Sequence, residues 1–391
     1  MTVIDPLDAF DHLVVRIGEM RSVVEAAPHD DLHRAEGVRY LLRFLSAGIA
    51  VCVEHDEPAY PEIGTFIENR RSWGLDNPDT KYGYARLAPG ASYRIAGDPG
   101  TACAMELQVN TGHMSDGNFA GWNAVSRLST DDLVTEADGS ITIDVAPVRP
   151  AGSTNWMATD DRASYLHVRE YFGDWDVERP AVLAIEPLEG HWPPPPLGPE
   201  RLLEHLELLE QWITVGLRCW DALGRGLATT PLADITPFLP PLSATGLGGQ
   251  AYGMGAYACE PDQAVIVELT PPAARYWSLS LATWFWESSD VADRQCSLNH
   301  EQAVVDDDGV VRAVISHRDP GVANWLDPAG YPRGTLAVRY LFSDSIPTAR
   351  VRSVAFDDLL DELPDSARVT PDERELTLRR RRRALVWRYR R

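Results

Sequence analysis

The strongest constraint on the fold of this chain is that its sequence repeats itself. Asp138-Gly139 falls on Asp308-Gly309, Leu128 on Leu298, Val168-Arg169 on Val338-Arg339 and Phe172 on Phe342, all at an offset of 170. Asn155-Trp156 falls on Asn324-Trp325 at 169, and Ala102–Val109 lies on Arg275–Ala282 near 173. Offsets that drift by a few residues are what loop insertions produce, and the matches run in order, so they mark a duplicated unit of about 110 residues. Within the copies, short alternating runs are cut by Gly, Pro, Asp and Asn. Tyr82–Leu87, Ser92–Ala96, Cys103–Val109, Ser140–Val145, Tyr165–Phe172 and Ala181–Glu186 read as strands, and the same texture resumes from Tyr252 to about Phe342. Such strands, joined by turn signals such as Asp-Gly, predict a β-sandwich or barrel in each copy.

Helices surround the copies. Leu7, Phe10, Leu13, Val14, Ile17 and Val24 recur at helical spacing, and a second helix is expected from about Leu32 to Val53 with Val38, Leu41, Leu42, Leu45 and Ile49 on one face. His191-Trp192-Pro193-Pro194-Pro195-Pro196 suits neither a helix nor a central strand and reads as a stiff linker. Pro199 opens a helix striped by Leu202, Leu206, Leu209, Ile213, Leu217, Trp220 and Leu223, with Gly224 and Gly226 expected to end it. Thr370-Pro371-Asp372-Glu373 is a capping box in front of a C-terminal helix. The expected organisation is a helical segment over 1–57, a first sandwich over 58–190, linker plus helix over 191–250, a second sandwich over 251–368 and a basic helix over 369–391.

Charge and composition exclude several chemistries. Of 391 residues 58 are acidic and 36 basic, a formal charge of −22, and Lys81 is the single lysine. A P-loop needs Lys after its last glycine, and Lys81 follows Asp79-Thr80; Schiff-base chemistry would rest on Lys81 alone. Residues 374–391 carry a net +8, so the rest carries −30, and an acidic body argues against nucleic-acid binding. The basic tail is expected to dock on that body or on a second subunit rather than on a membrane. The five cysteines are scattered, and MTVIDPLDAFDHL lacks the basic and apolar regions of a signal peptide. The ten-residue apolar run 44–53 is too short to span a bilayer, so the reading is cytoplasmic.

Asn77-Pro78-Asp79-Thr80-Lys81-Tyr82, Arg275–Leu281 and the run Ser316-His317-Arg318-Asp319-Pro320-Gly321-Val322-Ala323-Asn324-Trp325-Leu326-Asp327 resemble the bacterial family called domain of unknown function 1214. That family is common in actinobacteria and often paired with domain of unknown function 1254. The resemblance implies jelly-roll-like β-sandwiches with helical additions and an arginine-rich C-terminal helix. It carries no settled activity and no catalytic residue.

The repeat supplies an internal control: features shared by both copies read as scaffold, and features of one copy as candidates for function. Asn324-Trp325 recurs as Asn155-Trp156 and reads as structural, whereas His317-Arg318-Asp319 is matched by Pro147-Val148-Arg149 and belongs to the second copy alone. The candidate catalytic set is His317, Asp319 and Glu287, with His317 as acid or base and a carboxylate as partner. The candidate binding set is Arg318 as an anion clamp, Trp284 and Trp286 as a ring-stacking pair on one face of a strand, and Asp290, Asn324 and Asp327. Glu287 and Asp290 form a pair of carboxylates of the kind glycoside hydrolysis requires. No metal site or cofactor is expected. Gly246-x-Gly248-x-x-Ala251 imitates a dinucleotide fingerprint but sits between Pro237–Pro241 and strand-like residues, the wrong context. Two readings follow: a hydrolase-like enzyme acting on a small amphipathic or carbohydrate-like molecule in a cleft of the second sandwich, or a non-catalytic binder of such a molecule.

Overall fold

The computed structural model describes residues 5–117, 123–239, 249–363 and 366–390. The duplication read from the sequence is present as two β-sandwiches of one topology. In the first, the strands are β1 (Gly64–Ile67), β2 (Thr80–Arg86), β3 (Tyr93–Asp98), β4 (Ala104–Asn110), β5 (Ala124–Ser129), β6 (Ile141–Ala146), β7 (Asn155–Ala158), β8 (Tyr165–Tyr171) and β9 (Val182–Pro187). They form sheets ordered β1-β2-β8-β4-β5 and β7-β6-β3-β9. In the second, the strands are β10 (Gln250–Ala258), β11 (Gln263–Leu269), β12 (Ala274–Ala282), β13 (Ser297–Asn299), β14 (Val311–Ile315), β15 (Trp325–Leu326), β16 (Arg333–Ser343) and β17 (Arg350–Ala355). Their sheets run β10-β16-β12-β13 and β15-β14-β11-β17. Apart from the extra edge strand β1 the two plans coincide, down to one parallel pair in each, β6–β7 and β14–β15.

The ladders correct one detail of the sequence alignment. Leu107 lies opposite Val168, and Leu279 opposite Val338, so β4 falls on β12 at an offset of 172 rather than 173. A single residue matters here because it exchanges the two faces of a strand. In the correct register Glu106 corresponds to Ser278 and Gln108 to Ser280, while Tyr82-to-Tyr252 and Arg169-to-Arg339 hold at 170.

Alternation along β8 and β16 sorts their side chains. Leu166 and Val168 join Leu107, Ile95 and Ile143 in the first core, and Leu336 and Val338 join Leu279, Val265 and Val267 in the second. The intervening residues, among them Arg169, Tyr171, Arg339 and Leu341, therefore face away from both cores. There Tyr171, Tyr276, Leu341 and Ala104 make a small apolar contact between the sandwiches. The molecule is thus four sheets deep, with the outer faces of two inner sheets turned towards each other.

Helices close the side of this stack. They are α1 (Pro6–Glu19), α2 (Arg21–Glu25), α3 (Asp31–Ile49), α4 (Pro199–Gln211), α5 (Leu217–Ala228) and α6 (Pro371–Arg390). Asp5 caps α1 and Asp30 caps α3, each carboxylate accepting a first-turn N–H. Helix α3 buries a different face from the one its aliphatic spacing predicts: Val38 and Leu42 are 54% and 63% exposed, while Gly37, Tyr40, Phe44, Ala47 and Gly48 are inside. Rings bring more apolar area than aliphatic chains, and glycines let them approach. A Cβ at Gly48 would lie 2.5 Å from Trp212 Cδ1, and Trp212 donates its indole N–H to Phe44 O at 2.9 Å. Likewise Gly224 does not end the central helix. After a π-helical turn over Trp212–Gly216, the chain stays helical to Ala228, and Gly224 instead admits Trp286, whose Cβ would be 2.7 Å from a Cβ there.

The capping box at Thr370 is present: the Thr370 N–H donates to Glu373 Oε2 at 2.7 Å, and the Glu373 N–H to Thr370 Oγ1 at 3.3 Å. Helix α6 then lies along the second sandwich. Arg374, Arg381 and Arg388, seven residues apart and so on one face, are all buried. Arg374 donates to Asp319 Oδ2 at 2.9 Å, Arg381 to Ser297 Oγ at 2.9 Å and Arg388 to Pro78 O at 2.8 Å. Arg381 stacks over Trp175 and Arg388 over Phe172, while Ala384 and Leu385 enter the second core. Among the described residues no helix is long and apolar enough to cross a membrane.

Candidate functional site

The structure does not gather the candidate residues into one site. His317 directs Nε2 at Cys259 O, 2.8 Å away, so that nitrogen carries the proton. Asp319 accepts from Arg374 and from the Gly321 N–H at 2.9 Å, which makes it an anchor for α6. Arg318 stacks 3.9 Å over the Phe356 ring at the surface. Asn324 behaves as its twin Asn155 does. Asn324 exchanges hydrogen bonds with the backbone of Val304, and Asn155 with that of Val134. Asp327 is bound to Arg294 at 2.7 Å and to the Ala329 N–H at 2.8 Å. None of the five main cavities among the described residues is lined by His317, Arg318 or Asp319.

The stretch after β12 also departs from expectation. It turns at once instead of extending: Thr283 Oγ1 accepts the Phe285 N–H, and Thr283 O the Trp286 N–H. Trp284 and Trp286 consequently point apart. Trp284 packs with Phe285 in the helical aromatic cluster, and Trp286 packs with Leu75 and Trp220. Glu287 and Asp290 do border one recess of about 160 Å³, together with Arg39, Arg43 and Arg294. Glu287 accepts there from Arg43 Nη1 at 2.9 Å, and burial outweighs the guanidinium to push its carboxyl up to about 7. Of the G-x-G-x-x-A imitation, residues 246–248 lie outside the described residues.

What the structure builds instead is a chamber of about 320 Å³ between the two sandwiches. Its walls are mainly aromatic: Phe66, Trp73, Tyr82, Tyr171, Trp220 and Trp286. Polar groups are few: Arg169 and His167 from β8, Arg339 from β16, Tyr252 and Gln250 from β10, and Asp76 and Asn77 from the loop before β2. The size and the sparse polar lining are those of a small-molecule site.

The duplication explains this set. Arg169 and Arg339 occupy equivalent positions, beside the equivalent tyrosines Tyr82 and Tyr252. Each is steadied by the equivalent neighbour: Arg169 donates to Gln108 Oε1 at 3.0 Å, and Arg339 to Ser280 Oγ at 2.7 Å. Arg339 also donates to Leu75 O at 2.6 Å. Among the described residues neither guanidinium has a carboxylate within 4.0 Å. His167 Nε2 is buried with no hydrogen-bond partner among them, and burial, then Arg169, hold the ring well below the usual histidine value, hence neutral. The carboxyl of Asp76 is raised by burial, although Ser72 Oγ and the Ser288 N–H both donate to it.

One wall is strained. Leu75 and Trp286, neither of them glycine, adopt φ values of 54° and 60°, and the Leu75 N–H donates to Trp286 O at 2.6 Å. A left-handed conformation in a bulky residue costs on the order of 1–3 kcal/mol and concentrates at ligand clamps and active sites.

Glu106, opposite Arg169 in the ladder, gives the region a pH dependence. Burial pushes its carboxyl from 4.5 up to about 7, against the fields of Arg169 and Arg127. Across that window the folded protein holds a proton that the unfolded chain has released, so this residue's contribution to stability is lost as pH rises from 4.5 to about 7. Melting temperatures measured across that window should fall less steeply for Glu106→Gln than for the wild type. Parallel curves would contradict the assignment.

The architecture defines a double β-sandwich protein with a ligand-sized chamber between its halves. Residues 104–173 and 264–341 match the family described as "Protein of unknown function (DUF1214)", one region in each sandwich. The resemblance read from Ser316–Asp327 falls inside the second of them. The fold is shared with a crystal structure of an uncharacterized protein from Burkholderia cenocepacia, 26% identical, over 89% of this chain and 97% of that one, with a TM-score of 0.82. A protein from Vibrio parahaemolyticus aligns at 12% identity over 81% of this chain and 98% of its own, with a TM-score of 0.45. No curated protein matches.

Proposed function

We propose that this protein binds a small, largely apolar molecule in the chamber between its two sandwiches. The observation that carries the reading is the chamber itself: about 320 Å³ of space walled by rings, beside two residues held in a conformation their side chains disfavour. A folded protein gains nothing from such a void, because lining atoms lose contacts across it. Trp73, Trp220 and Trp286 line the space and serve as built-in reporters.

The test uses the neutral dye N-phenyl-1-naphthylamine. The wild-type protein should enhance its emission and transfer energy to it from tryptophan. Met254→Trp, which adds bulk to the chamber wall, should weaken that binding about tenfold or more while leaving the circular dichroism unchanged. Equal binding by a folded Met254→Trp protein would place the dye elsewhere, and no binding by the wild type would remove the proposal.

A further inference from the structure

Resting on that reading, we infer that the chamber is selective for a monocarboxylate: an apolar acid whose head group lies between Arg169 and Arg339.

The argument is one of charge and hydrogen-bond supply. Two guanidiniums enter one chamber from opposite sheets, and Asp76 is the sole acid among its lining residues. The neighbours that hold the guanidiniums are an amide oxygen, a hydroxyl and a backbone carbonyl, all neutral. Arginine keeps its charge at every pH of interest, so the chamber carries one positive charge more than its lining can neutralise. A buried charge without a counter-charge is costly, and an anionic guest removes that cost. With Asp76 ionised, one excess charge matches a monoanion better than a phosphate dianion. A planar carboxylate also suits the guanidinium fork, which donates two parallel N–H groups.

The remaining donors fit the same guest. Tyr82 Oη accepts the Asn77 N–H at 2.8 Å, which leaves its own proton available. The unpartnered Nε2 of His167, 5% exposed, adds a further polar contact beside Arg169. Around these groups Phe66, Trp73, Trp220 and Trp286 supply mainly ring surface, with the buried indole N–H groups of Trp73 and Trp286 as further donors, so the rest of the guest is mainly apolar. Glu106 is the protein's own acid nearest in field to Arg169, yet it forms no ion pair with it within 4.0 Å and does not line the chamber.

The experiment compares two chain-matched probes, decanoate and decan-1-ol, as competitors for bound N-phenyl-1-naphthylamine at neutral pH. Wild-type protein should take decanoate about tenfold or more tightly than decan-1-ol, the scale of a charge-assisted hydrogen-bond pair. Arg169→Gln should weaken decanoate until the two lie within about threefold of each other, and Arg169→Lys should restore part of the difference. Arg339→Gln should act in the same direction, but Arg339 also holds Leu75 O, so Arg169 is the decisive position. If the dye binds the wild type and the alcohol competes as well as the acid, the carboxylate assignment is wrong and the binding proposal stands. A preference for decanoate that survives both glutamine variants also overturns it. If the dye does not bind at all, both proposals fall together.

Discussion

Arg43→Met should lower stability by about 3–5 kcal/mol above neutral pH, the usual cost of leaving one member of a buried ion pair alone. Arg43 reaches from α3 into the second sandwich, where its Nη1 donates to Glu287, a residue 1% exposed. With the guanidinium present, burial already lifts the Glu287 carboxyl to about 7; without it the value rises further. At about pH 5 the lone carboxyl is therefore neutral, and the penalty should shrink to that of lost packing and one hydrogen bond. Arg43→Met combined with Glu287→Met should lie near the wild type at both pH values, because a well-packed apolar pair replaces the charged one. Urea unfolding of the single and double variants at the two pH values decides the matter. An Arg43→Met penalty that does not change with pH would mean that Glu287 is not the group left behind. The result would also fix the role of a residue that sequence reasoning placed in catalysis as the other half of a helix-to-sandwich strut.

Truncation after Thr370 should cost more still. It removes Leu385 from the second core, a loss worth about 2–5 kcal/mol by itself, and three buried arginines whose hydrogen bonds satisfy backbone and side-chain acceptors. Against a total stability of about 5–15 kcal/mol, the second sandwich should no longer unfold cooperatively. Arg379→Ala, by contrast, alters an exposed side chain paired with Glu375 on the same helix and should stay within about 0.5 kcal/mol. Thermal unfolding of the three proteins separates these outcomes, and a truncated protein that melts with the wild type would refute the docked helix. Salt should matter little, since the contacts that hold the helix are buried and poorly screened.

The sequence made the architecture legible because duplication writes the same core pattern twice. Asn155-Trp156 and Asn324-Trp325 were recognisable as scaffold, and each asparagine does bind the backbone of the loop that precedes it. The helix faces were less legible. Tyr40, Phe44 and Gly48 pack through ring stacking and close approach, which aliphatic periodicity does not register. The chamber was not legible for a specific reason. The match of Val168-Arg169 with Val338-Arg339 was visible, but the rule that shared features are scaffold set it aside. That rule is sound when each copy keeps its own face to solvent. It fails when two equivalent faces are turned towards each other, because a shared residue then appears twice in one chamber. The His317–Asp319 triplet, unique to one copy, proved to be a turn that anchors α6. Its signal in the sequence was that of an anchor, and the missing information was the course of a helix some fifty residues later.

Equivalent arginines meeting across one space are also what remains when a two-fold homodimer is joined into a single polypeptide. In such a dimer the interface is isologous and its walls must be identical. Fusion lifts that requirement, and the walls here have already diverged. His167 stands where the other half has Ala337, and Tyr171 where it has Leu341. The two walls are thereby no longer interchangeable, although each still supplies one arginine and the tyrosine opposite it. A guest bound as proposed would meet a different wall at each end, and one orientation would be favoured over the other.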